Sequence, residues 1–202
     1  MPLSQNLVSR LRIELPYLLP GLILTIILFG RVLNGEIPAG IDVHTFAAPQ
    51  SQLINQFVRN AEIPGWNPYM GTGNPLVGDA SFPVYYPLNV LHYFVNPYTF
   101  LALFPFIHTL ILYLGTYCYG RNLELSPSGA CCMALVFAGG GVAVSQSFTP
   151  MYLGGVSWLP WALLSFRLFL NERRFKVLYC VLASLSFAQI FLIGALEYCV
   201  IV

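Results

Sequence analysis

Five long apolar runs constrain this chain more than any other feature. They cover about residues 17–33, 99–119, 128–144, 151–170 and 176–202. Each approaches the roughly 20 residues that a helix needs to cross a bilayer. The runs are continuously apolar and lack the two-residue alternation of a barrel strand, so each is expected to be a helix. Charged residues make up only 8% of the chain against 57% hydrophobic. A soluble domain carries roughly 25% charged residues, so this chain has too little polar material to cover a surface in water. The sequence therefore predicts an all-α polytopic membrane protein with about five transmembrane helices. Residues 1–202 are expected to form a single transmembrane domain.

The basic residues set an orientation. Arg10 and Arg12 precede the first run, Arg121 follows the second, and Arg167, Arg173, Arg174 and Lys176 cluster between the fourth and fifth. All of them fall on one side if the N-terminus is cytoplasmic, leaving Arg31 and Arg59 on the other. Basic residues concentrate on the cytoplasmic side, so residues 34–97 are expected as a large extracytoplasmic loop. The first run lacks a small-residue cleavage site and leads into further apolar runs, so it is expected to stay as a span. The fifth run leaves the chain on the outer side within an apolar helix, which is expected of the N-terminal part of a longer protein. The net charge of +1 gives no electrostatic case for nucleic acid. The five cysteines lie in or beside apolar runs without CxxC spacing and are expected as small apolar side chains.

The outer loop is rich in aromatics and poor in charge, so it is expected to be ordered. Phe46, Leu53, Ile54, Phe57 and Val58 recur at helical spacing, which predicts a short interfacial helix between Phe46 and Asn60. From Pro64 to Pro87, Pro and Gly recur every few residues, predicting an irregular, well-determined segment. Trp66, Tyr69, Tyr85 and Tyr86 there suit the headgroup level. Asp42 follows the first run closely. It is a candidate general base, and equally a solvated loop residue or a helix cap. Asp79, in a Pro/Gly-rich turn, reads either as a second acidic site residue or as turn chemistry. Asp42 and His44 are candidate ligands for a divalent ion but too few to define a site. His92 and His108 read as hydrogen-bonding residues in aromatic or interhelical positions.

The order of motifs resembles a known family. After Asp42 come Pro64-Gly65-Trp66-Asn67-Pro68-Tyr69, Gly71-Thr72-Gly73-Asn74-Pro75-Leu76 and Tyr85-Tyr86-Pro87-Leu88-Asn89. His108, Tyr117, Arg121 and Trp158-Leu159-Pro160-Trp161 follow. This series resembles the YfhO-like bacterial membrane proteins, relatives of the GT-C glycosyltransferases. The resemblance implies a multi-pass plasma-membrane enzyme that takes a sugar from a polyprenyl-phosphate donor and transfers it to a cell-envelope acceptor on the outer face. It implies Asp42 as catalytic base, with Asp79 the match for a second acidic residue. Substrate contacts are then expected from Arg59, Trp66, Asn67, Tyr69, Tyr85 and Tyr86. No cofactor is expected, and a divalent metal stays open. Where the family has Gly-His-Pro followed by Glu or Gln, this chain has Gly194-Ala195-Leu196-Glu197.

Two other classes of function fit the same residues. A lipid or polysaccharide transporter would need ionisable residues and broken helices within the spans. Gly139-Gly140-Gly141, Pro105 and Pro160 are candidate breaks, although the triple glycine reads better as a site of close helix packing. His108 and Glu197 are the ionisable exceptions. A non-catalytic assembly protein would need no placed carboxylate at all.

Overall fold

The computed structural model describes residues 13–36, 40–76, 79, 83–172 and 174–201. Arg10, Arg12 and Arg173 of the orientation argument lie outside these described residues. The chain is mostly helical. A 3₁₀ turn over Leu15–Tyr17 leads into α1 (Leu19–Phe29), with prolines in both first turns, where a missing N–H costs nothing. A π-helical turn, Val43–Ala47, runs into α2 (Ala48–Arg59). Pro49 cannot donate to the carbonyl of Thr45, and the wider turn lies where that bond is missing. The helix stops at Ala61, whose φ of 52° turns the chain while Glu62 N–H bonds the Phe57 carbonyl at 2.9 Å.

A small hairpin follows, β1 (Trp66–Asn67) against antiparallel β2 (Asn74–Pro75). A 3₁₀ helix over Pro87–Tyr93 leads to α3 (Pro97–Asn122), where Asn96 Oδ1 accepts the Thr99 N–H at 2.9 Å as an N-cap. Ser126 caps α4 (Pro127–Ala138) in the same way. Then come α5 (Gly141–Gln146), α6 (Pro150–Asn171), α7 (Lys176–Leu192) and α8 (Leu196–Ile201).

α3 is the centre of the bundle, packed by α1, α2, α4 and α6, while α7 covers the far side of α6. Small residues bring the helices together: Gly21 lies under the Tyr113 ring, Gly115 under Trp161, and Gly154 against Ile193. One core cluster, with Phe100, Phe104, Ala162 and Ile190, fills the Pro97 end of α3. A second, with Leu112, Tyr113, Ala130 and Ala134, fills the other end.

Among the described residues two helices, α3 and α6, are long and apolar enough to cross a membrane, and α1, α4 and α7 are shorter. The expected third span, 128–144, is interrupted. α4 ends at Ala138, with Gly139 as its C-cap, and α5 begins at Gly141. Gly139 does sit against Leu24 of α1, but a Cβ on Gly140 would meet the Val136 carbonyl at 2.7 Å, and Gly141 faces open space. The triple glycine therefore breaks the helix more than it packs it. The fifth run is interrupted too, by a turn at Gly194 with φ 86°.

Candidate functional site

The 40–96 region packs on the Pro97 end of α3. Leu53 and Ile54 of α2 bury against Leu76 and Val84, with Phe57 and Val58 beside them. The Pro/Gly-rich segment therefore rests on the helix that the apolar spacing predicts. Asn55 fastens α2 by donating to the carbonyls of His92 (3.0 Å) and Val95 (3.4 Å), and Ser51 donates to that of Pro97 (3.2 Å).

The Trp66-Asn67 and Asn74-Pro75 motifs, separate in sequence, pair as the two strands of the hairpin. Leu76 N–H closes it onto the Gly65 carbonyl at 3.0 Å. Gly73, at φ 101°, has room for no side chain because the Trp66 indole covers it. Asn67 is buried, and its Oδ1 accepts the Tyr69 N–H at 2.9 Å. Hairpin and helix together wall a cleft of about 430 Å³, lined by Thr45, Phe46, Gln50, Gln52, Gln56, Asn67 and Tyr69 among others.

Asp42 is exposed immediately before the π-helical turn. It makes no side-chain cap. Thr149, just before α6, donates to its Oδ2 at 3.4 Å. Gly40 lies against Phe148, so the loop and the α5–α6 connection meet at this end of the bundle. Asp79 is half-buried and accepts from Asn74 Nδ2 at 2.8 Å, which ties it to the hairpin. Arg59, Trp66, Tyr69 and Tyr85 are exposed. Of the expected substrate contacts, the cleft gathers Asn67 and Tyr69 and does not include Arg59, Trp66 or Tyr85. His44 is exposed, and among the described residues no three His, Cys, Asp or Glu side chains converge as a metal site would require.

Tyr86 is placed otherwise than the headgroup level suggests. It is 3% exposed, and its hydroxyl is fully engaged. Trp158 Nε1 donates to it at 2.9 Å, and it donates to His108 Nε2 at 2.7 Å. The assignment is forced at the other end, because His108 Nδ1 lies 2.9 Å from the Phe104 carbonyl, which can only accept. Burial pushes the Tyr86 hydroxyl up to about 12, with the Trp158 hydrogen bond opposing it. Tyr86 is a structural link between the loop, α3 and α6. His92 is fully buried and stacked on Phe100 at 4.0 Å between ring centroids. Among the described residues neither of its ring nitrogens has a partner. Burial, aided by the Arg59 charge, pushes His92 down to about 4.

The Tyr117 and Arg121 of the motif series are taken up at the opposite end of α3. Glu14 accepts from the Tyr117 hydroxyl and pairs with Arg121 at 2.9 Å. Sequence reasoning named Asn67 but passed over Glu14 and over the glutamines of the cleft. Their signal was present as Thr45, Pro49, Gln52 and Gln56, spaced 4, 3 and 4 residues apart on one helical face. Comparison with protein-family models, with curated proteins and with solved structures finds no match to this chain.

Proposed function

We propose that this chain is a membrane glycosyltransferase working at the outer face of a bacterial plasma membrane, with its N-terminus cytoplasmic. The donor is a polyprenyl-phosphate sugar and the acceptor a cell-envelope glycan. The bilayer reading rests on apolar side chains that face outward on several helices, such as Ile23 and Ile27 of α1, Val136 of α4 and Leu185 of α7. A surface of this kind is stable against lipid and costly against water.

The observation that carries the catalytic reading is the position of Asp42. Its carboxylate is exposed at the head of the helix whose next turn, Thr45 and Phe46, walls the cleft. The resemblance in motif order supports the same assignment. In the reaction the acceptor hydroxyl attacks the anomeric carbon and gives its proton to Asp42. The bond from that carbon to the phosphate oxygen breaks, and polyprenyl phosphate leaves with the electron pair.

Asp42→Asn keeps the shape and removes the base, so transfer from a polyprenyl-phosphate donor in membranes carrying the protein should fall by about 10²–10⁴-fold. Glu62→Gln should leave transfer unchanged. Normal transfer by Asp42→Asn with loss in Asp79→Asn would move the base to Asp79. Normal transfer by both would end the glycosyltransferase reading. One observation favours a transporter as the second reading: the helix breaks at Gly139–Gly140 and at Gly194. That reading expects a labelled lipid-linked sugar to cross the bilayer of proteoliposomes with no acceptor present.

A further inference from the structure

We infer that the cleft between the 43–59 helix and the hairpin binds uncharged pyranose units of a glycan. The inference rests on the glycosyl-transfer reading for its biological sense but on the cleft alone for its chemistry. Its volume of about 430 Å³ lies within the range of small-molecule sites. Among the described residues the lining contains no charged side chain, so a phosphate, carboxylate or ammonium ligand would enter without a counter-charge from them. A purely apolar ligand fits no better, because Gln52, Gln56 and Asn67 would lose water and gain nothing.

What remains is a neutral ligand with polar groups around its edge and apolar faces. A sugar ring has equatorial hydroxyls for the amides and C–H faces for an aromatic ring. The amides are held in place for this. Gln52 Nε2 donates to the Tyr98 hydroxyl at 3.1 Å, which leaves its carbonyl oxygen to accept. Asn67 is 4% exposed and its Oδ1 is committed to Tyr69 N–H, so it offers its amide hydrogens. Tyr69 and Phe46 supply aromatic surface on opposite walls, one from the hairpin and one from the helix. An extended peptide is a poorer fit, since it is read along a strand edge, and each strand here is only two residues long.

The sugar could belong to the acceptor glycan or to the lipid-linked donor, and competition separates the two. The test uses the chain in lipid nanodiscs, because glycoside detergents would compete. Neutral tetrasaccharides of glucose, galactose and N-acetylglucosamine are titrated by calorimetry. At least one should bind saturably, with a dissociation constant of about 1 mM. Tyr69→Ala and Gln56→Ala, both at exposed positions, should each weaken it by about tenfold, while Tyr93→Ala outside the cleft should not. Displacement by a polyprenyl-phosphate sugar assigns the cleft to the donor, and simultaneous binding assigns it to the acceptor. Absence of saturable binding by all three sugars, or equal binding by the Tyr69 and Gln56 variants, overturns the inference. The readout needs no turnover. Binding with failed Asp42→Asn predictions would sink the transfer reading alone, and transfer without binding would sink the cleft alone.

Discussion

At the scale of single residues, burial decides roles that residue type leaves open. His92 and His108 are both fully buried histidines, yet they differ. His108 spends both ring nitrogens in a chain from Trp158 through Tyr86 to the Phe104 carbonyl. His92 spends neither and serves as a flat ring on Phe100. A charged imidazolium there would be buried and, among the described residues, without an acceptor, so the packed loop favours neutral His92. Its pKa falls from the ordinary 6.5 to about 4, because burial and then the Arg59 charge disfavour the proton. The unpacked loop binds the proton first as pH drops. Stability of this packing is therefore complete above about 6.5 and is lost progressively as pH falls from there towards 4. Protection factors of residues 48–59, taken relative to the intrinsic exchange rate at each pH, should fall over that window. His92→Phe should flatten the dependence, and an unchanged pH profile in that variant would remove His92 as its cause.

At the scale of elements, one contact ties the start of the chain to α3. Glu14 reaches Arg121 through two guanidinium nitrogens and takes the Tyr117 hydroxyl, while Tyr113 donates to the Tyr17 carbonyl at 2.5 Å. Both partners of the ion pair are about one-third exposed, so solvent screens it. Glu14→Gln keeps an acceptor but removes the charge, while Arg121 still donates to the Leu125 carbonyl, so the change should cost about 0.5–1 kcal/mol. Thermal unfolding in detergent should register that loss. A double-mutant cycle with Arg121→Gln should give a coupling of about 1 kcal/mol, and zero coupling would reduce the latch to a surface contact. The helix breaks belong to this scale as well. Gly140 is confined by the Val136 carbonyl and Gly194 takes a left-handed φ, so neither site lets a side chain continue the helix without strain.

At the scale of the whole molecule, the two ends of α3 are chemically different. One end carries the aromatic loop, the hairpin and the cleft, and the other carries Glu14, Arg121 and the α3–α4 turn. In the membrane orientation proposed here the loop end is outside. A cysteine at Asn60, which is exposed, should react with an impermeant thiol reagent applied to intact cells, and one at Ser128 should not. Ser51 is unsuited to this experiment despite its place in the loop, because it is 3% exposed and bonded to the Pro97 carbonyl. The opposite labelling pattern would invert the topology and place Asp42 on the cytoplasmic side.

The sequence by itself determined roughly where the long helices lie, because apolar runs and capping residues act locally, but it did not settle the breaks after Ala138 and at Gly194. Asn96 and Ser126 start α3 and α4 as their residue types require, and the spacing of Leu53, Ile54, Phe57 and Val58 placed α2. It also brought forward Asp42, Asn67 and Tyr69, which the structure places beside or within one cleft. It did not decide what those side chains meet. That Trp66-Asn67 pairs with Asn74-Pro75, that Tyr86 turns inward to His108 and Trp158, and that Arg121 finds Glu14 are choices between partners far apart in the chain. Periodicity carries no information about them. Only the packing of the bundle, where a buried hydroxyl must find a partner and a half-buried guanidinium is brought beside a carboxylate, selects one.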